Sequence, residues 1–187
     1  MRKLMITNKN IKILEDVAEP IEGTIVNEKD FKELEEFVKE STKHFDSSHN
    51  HEHADKVYQT SMEIIETLDE SYDDEIITYA SKLHDVIDHK YPESIKREEL
   101  INFITKKIGQ DKQIQVMQII DNISFSKEFN GLREKLKEPL ATYLNVISDA
   151  DRLEAIGKIG VQRCEIYTRS KNPHYTEEEI LNNVINI

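Results

Sequence analysis

Residues 73–92 read DDEIITYASKLHDVIDHKYP. Ile76, Ile77, Ala80, Leu83 and Ile87 recur at the spacing of one helical face, Asp73-Asp74 opens the run and Pro92 bounds it. The stretch therefore predicts an amphipathic helix. That apolar face also carries an adjacent imidazole and carboxylate, His84-Asp85. Burying such a pair without a partner costs several kcal/mol, and a divalent cation held by both removes the cost. Two further ligands must then come from other helices, as in metal sites built inside helical bundles.

The same period continues on both sides. Upstream, Asn27 is placed to cap a helix carrying Phe31, Leu34, Phe37 and Val38 and reaching about His44. The polar run 46–51 is a loop that feeds a second helix from near Glu52, with Val57, Met62, Ile64, Ile65 and Leu68 on its apolar face. Downstream, Ser94 is expected to cap a helix holding Ile95, Leu100, Ile101 and Ile104, and a further helix spans about Asp111 to Ile123. Periodicity weakens over 124–137, which predicts a loop-rich crossover. Pro139 favours the first turn of a helix with Leu140, Leu144 and Ile147, and Gly157 and Gly160 leave its continuation to Ile166 open. A last helical segment starts near Thr176. Residues 1–26 are only weakly periodic and are broken by Pro20 and Gly23, so they read as an N-terminal arm or irregular addition. The prediction for 27–187 is an all-α, single-domain helical bundle.

Composition agrees. Five Gly, four Pro and no Trp in 187 residues supply too few turns for a β-sandwich or barrel. With 37 acidic against 25 basic residues the net charge is −12, which repels phosphate backbones, so stable nucleic-acid binding is not expected. A bound metal ion inverts that field locally and leaves room for a small polyanion. The single Cys164 excludes an internal disulfide and fits a reducing compartment. No apolar run has the length of a membrane span, and the opening MRKLMITNKN lacks an apolar signal core, so no membrane association and a cytoplasmic location are expected.

His44, His49, His51 and His53 gather at the entry to the second helix, and Asp149 and Asp151 flank Ala150 in a later one. Each feature has a bland reading: a solvated His-Asp pair, an adventitious metal trap, a helix cap. In combination they are far more specific. His53, His84-Asp85 and Asp151, in that order, resemble the four-ligand signature of the HD-domain metal-dependent phosphohydrolases. The segment 49–57, HNHEHADKV, looks like that family's His-Asp-x-x-His-x-x-Arg-Val. The run 83–90, LHDVIDHK, and the run 149–157, DADRLEAIG, are similar to motifs of a small single-domain subgroup with nucleotide pyrophosphohydrolase-like features. The resemblance covers about residues 29–170.

What the resemblance implies is a helical fold of the HD type with one divalent metal ion on His53, His84, Asp85 and Asp151. That mixed nitrogen and oxygen set suits Mn, Co, Ni, Fe or Mg. Asp151 is preferred to Asp149 as ligand, with Asp149 orienting it from behind. Asp88, three residues past Asp85, takes the place of a catalytic acid/base; its plain alternative is a surface charge paired with Lys90 or Lys56. Lys56, Lys90 and Arg152 are the cations expected to grip phosphate, with Arg163 a further candidate, while Phe125 in Ile-Ser-Phe-Ser reads rather as core. The implied activity is hydrolysis of nucleotides, with cleavage of a nucleoside triphosphate to monophosphate and pyrophosphate as the leading version. A 5'-nucleotidase-type phosphomonoesterase and an inactive nucleotide- or metal-sensing module are the alternatives. Asn50 stands where the family has Asp, Lys56 where it has Arg, and Glu154 where it has Asp. Relatives carry further helices beyond the segment matching 170–187; either a homo-oligomer would complete a shortened domain or its pocket would be more open.

Overall fold

Asn27 starts the first helix as its side chain predicts: its Oδ1 accepts from the Asp30 N–H at 3.0 Å, and α1 runs Glu28–Ser41. The computed structural model describes residues 26–46, 49–68, 71–88 and 91–185, so the expected arm lies outside the described residues except for Val26. Asn50 caps α2 (His51–Ile65) by accepting from the N–H groups of Glu52 and His53, at 3.0 and 3.3 Å. Asp73 caps α3 (Asp74–Leu83) through the Ile76 N–H at 3.2 Å. Then come α4 (Arg97–Asn122), the short α5 (Phe125–Phe129), α6 (Leu140–Leu153), α7 (Gly157–Lys171) and α8 (Glu177–Ile185). Thr176 and Glu179 close a reciprocal box at the start of α8: Thr176 Oγ1 accepts from the Glu179 N–H and Glu179 Oε2 from the Thr176 N–H.

The described residues are therefore all helix and connection, as the composition requires. The central layer is α2, packed on both α3 and α6, with α4 against the other side of α3 and α1 laid across α3. Their apolar faces meet in one core that includes Val57, Ile77, Leu83, Leu100, Ile119 and Ile147, all fully buried. Each such side chain contributes roughly 1.5–3 kcal/mol. Lys82 crosses this layer as a buried cation. Its Nζ lies 3.4 Å from Glu35 and 2.5 Å from Asp55, over the rings of Phe31 and Tyr58. It ties α3 to α1 and α2 one residue from the apolar Leu83. Helices α7 and α8 pack mainly on each other. Among the described residues no helix is long and apolar enough to cross a membrane.

Several boundaries depart from the sequence expectation. Helix α3 stops at Leu83 and does not run to the approach of Pro92. The Ser81 carbonyl, which the Asp85 N–H would take in a continuing helix, instead faces His84 Nδ1 at 2.7 Å, and tight i+3 turns follow. Ser94 does not cap a helix. Its hydroxyl donates to the Asp88 carbonyl at 2.8 Å, Lys96 precedes the helix, and Ile95 stays outside it. The two helices expected over 94–123 are one element in series, interrupted at Gly109, whose φ of 81° and ψ of 168° are open to glycine and few others. The crossover 124–137 contains α5, and Gly157, at φ 64°, ends the question of continuity by separating α6 from α7.

Candidate metal centre and cleft

Three elements converge at one end of the α2–α3–α6 layer. The Asn50 cap fixes the first turn of α2 and with it His53. The end of α3 delivers His84 and Asp85. The last turn of α6 delivers Asp151. One donor atom each from His53, His84 and Asp151 lie within 4.8 Å of one another, a spacing that can hold a metal ion. His53 Nε2 stands 3.2 Å from Asp151 Oδ1 and 3.6 Å from Asp85 Oδ2. His84 Nε2 stands 3.2 Å from Asp85 Oδ2 and 3.9 Å from Asp151 Oδ1. Asp85 thus touches both imidazoles but falls outside the mutually close trio.

The donor chemistry fits a cation. Both histidines are buried, and neither Nε2 forms a hydrogen bond, nor does His53 Nδ1. Such orphaned buried nitrogens are costly unless a proton or metal occupies them. His84 Nδ1 faces the Ser81 carbonyl, so in the neutral ring that ligates a metal the proton sits on Nδ1 and the Nε2 lone pair faces the carboxylates. For His53, burial outweighs the nearby Asp151 and lowers the pKa, keeping the ring neutral. For His84, burial also works against the charged form, but Asp85 and Asp151 override it and hold the pKa up at about 9 without an ion. Burial opposes ionisation of both carboxylates as well. The two imidazoles nevertheless hold Asp85 and Asp151 below the usual range, Asp85 by far the more.

The centre opens into a cleft of about 620 Å³, lined by His84, Asp85, Asp88 and Asp151 together with Ser124, Phe125, Ser126 and Arg163. That size suits a small organic ligand. Asp88 reaches it through a tight turn, its N–H donating to the Asp85 carbonyl at 3.2 Å. His49 also lines the cleft. It is held by a group that sequence reasoning missed: the Tyr91 hydroxyl donates to Asp46 Oδ2 and lies 2.9 Å from His49 Nδ1, with Tyr167 of α7 against the ring. No spacing in the sequence links Asp46, Tyr91 and Tyr167.

The remaining candidates sit elsewhere. Arg152 does not line the cleft; its guanidinium pairs with Glu128 and with Asp149 Oδ1, and lies 5.7 Å from the Phe125 ring centre. Asp149 is exposed and paired with that arginine, because two residues along a helix turn its side chain about 200° away from Asp151. Lys56 is half exposed, 3.6 Å from Glu154. Lys90 lies outside the described residues. Phe125 corrects the core reading: it is 65% exposed and borders the cleft, because α5 stands off the bundle with no buried residue of its own. Arg163 reaches the cleft from α7.

No protein-family model matches the chain. It is similar to the uncharacterized protein YpgQ of Bacillus subtilis, 32% identical over 129 residues that make up 67% of this chain and 60% of that one. The chain spans less than two thirds of the length of the curated relatives it matches. A crystal structure from Lactobacillus plantarum aligns with a TM-score of 0.62 and 30% identity, over 77% of this chain and 64% of that one. The B. subtilis YpgQ structure in complex with ADP aligns with a TM-score of 0.59 and 24% identity, over 84% of this chain and 76% of that one, a likeness of fold.

Proposed function

We propose that the chain is a metal-dependent phosphohydrolase of the HD type acting on nucleotides, with a nucleoside triphosphate cleaved to monophosphate and pyrophosphate as the leading reaction. The observation that carries this reading is the trio of donors from α2, the end of α3 and α6, with orphaned buried imidazole nitrogens at the wall of a ligand-sized cleft. His53, His84 and Asp151 would hold the ion, with Asp85 beside them as the fourth donor of the family pattern. What the ion supplies when bound is Lewis acidity, which polarises a phosphoryl oxygen and acidifies the attacking water. Support for a nucleotide comes from YpgQ, which has been crystallised in complex with ADP.

The chain's own groups divide the remaining work. Asp88, on the cleft wall one tight turn past Asp85, takes the proton of the attacking water or returns it to the leaving oxygen. Arg163, which lines the same cleft, offers a fixed positive charge to phosphate oxygens. His84, tied through Nδ1, holds its position while the ligand changes.

The test is hydrolysis of a nucleotide panel with Mn, Co or Mg, resolving phosphate from pyrophosphate, for the native chain, Asp85→Ala and Asp88→Ala. Pyrophosphate release that Asp85→Ala abolishes is the expected result. Free phosphate from monophosphates selects a nucleotidase, and no turnover with any metal overturns the enzyme reading.

A further inference from the structure

Phe125 is the large aromatic side chain that lines the cleft, and its ring is 65% exposed. The ring is not on a loose loop. Arg133 fastens the segment after α5 to the bundle, its Nε donating to the Asn122 carbonyl at 2.9 Å and its Nη2 to Ser148 Oγ at 2.7 Å. Its Nη1 lies 2.9 Å from Glu128 of α5, and Glu128 in turn holds Arg152. Arg152, so fixed, sets its guanidinium 5.7 Å from the Phe125 ring centre, and Phe129 lies beside it at 5.9 Å. This segment presents an aromatic surface with a cation beside it, while His84, Asp85, Asp151 and Arg163 line the same cleft.

We infer that Phe125 is a stacking platform for the nucleobase, so that the site takes phosphates carrying a planar heteroaromatic group in preference to bare polyphosphates. The inference rests on the nucleotide reading above and names the part of the ligand that α5 recognises. The ring stacks on any base, because every base has a π-face. Its neighbours Ser124 and Ser126 bear hydroxyls, which both donate and accept and so do not discriminate one base edge from another. Arg152 acts through Phe125 as a positioning residue, which accounts for a cation next to the Asp151 ligand that does not itself line the cleft.

The experiment is an equilibrium titration of the full chain, with Mn present, using ADP and inorganic pyrophosphate as probes. Phe125→Ala is expected to weaken ADP binding about tenfold and to leave pyrophosphate binding unchanged, and Phe125→Tyr to restore ADP binding. The chain has no tryptophan, so Phe125→Trp installs a single reporter whose fluorescence ADP should change and pyrophosphate should not. Equal ADP affinity in Phe125→Ala and the native chain overturns the inference, as does native binding of ADP no tighter than that of pyrophosphate. A change in oligomeric state on Phe125→Ala with ADP affinity intact also overturns it and assigns the ring to a second copy of the chain. Absence of turnover with the ADP pattern intact would instead sink the hydrolase reading and leave the platform standing.

Discussion

The donor cluster and the α5 segment near it are built on opposite plans. The α2–α3–α6 cluster brings buried groups together and leaves them unsatisfied: His53 and His84 carry orphaned nitrogens against Asp85 and Asp151. The α5 segment exposes its Phe125 ring and satisfies the charged groups around it with one another, as the Glu128, Arg133 and Arg152 set shows. Strain from unmet polar groups is where a cation gains most. Exposed aromatic and cationic surface is where a variable ligand gains most. On the reading proposed above, the first fixes chemistry and the second fixes what is held.

Substitutions can sharpen or break that contrast. The largest effect is expected from His53→Ala, which should weaken Mn binding on the order of 100-fold or more, read as loss of the thermal shift that added Mn gives the native chain. An undiminished shift would remove His53 from the centre. Next, Lys82→Ala should lower unfolding free energy in urea by about 2–3 kcal/mol. That is less than a fully buried pair would lose, because Asp55 and Glu35 keep 40% and 45% exposure. In the cleft, Arg163→Ala should raise KM for a nucleotide about tenfold with the melting temperature nearly unchanged. A large loss of stability there would make α7 part of the rigid scaffold after all. Asn50→Ala should cost about 1 kcal/mol while Asn50→Asp stays near neutral, since both native and aspartate side chains offer the capping oxygen. The smallest effect concerns the outer fastening of α1 to α4. The hydrogen bond from Lys107, then that from Asn27, holds Asp30 below its ordinary 3.8. A lowered carboxylate pKa stabilises the fold above the unfolded value and loses that contribution as pH falls through the folded one. Asp30→Asn should therefore lower the melting temperature slightly at neutral pH, and the difference from the native chain should shrink below about pH 3.8. A gap that persists in acid would mean the charge is not what matters.

Much of the donor cluster and its scaffold could be read from the sequence, and little of the α5 segment. Asn27 and Asp73 announce helix starts because capping is a local affair, decided within three residues. Periodicity supplied the core, since Val57, Ile77, Leu83 and Ile147 recur at helical spacing and are buried together. Motif spacing brought out His53, His84 and Asp151, which the fold gathers. What stayed hidden depends on contacts between distant segments. The end of α3 is set by His84 taking a carbonyl, an event that period alone does not register. Phe125 looked like core because an aromatic among isoleucines usually is, and only the stand-off of α5 exposes it. Arg152 beside a ligand looked like a phosphate grip, yet helical geometry turns it toward Glu128 and away from the cleft.

The early stop of α3 has a further consequence, for how this chain tolerates changes of length. Every residue added or removed inside Asp74–Leu83 swings His84 by about 100° relative to the packed face of the helix. Insertions there are incompatible with both core and centre at once. The connection before the helix has no such constraint. The turn 66–68 ahead of the helix can absorb extra chain so long as the Asp73 cap keeps its place. The centre thus behaves as a ruler of ten residues between the Asp73 cap and His84, and chains sharing it should vary in loop length while keeping that count.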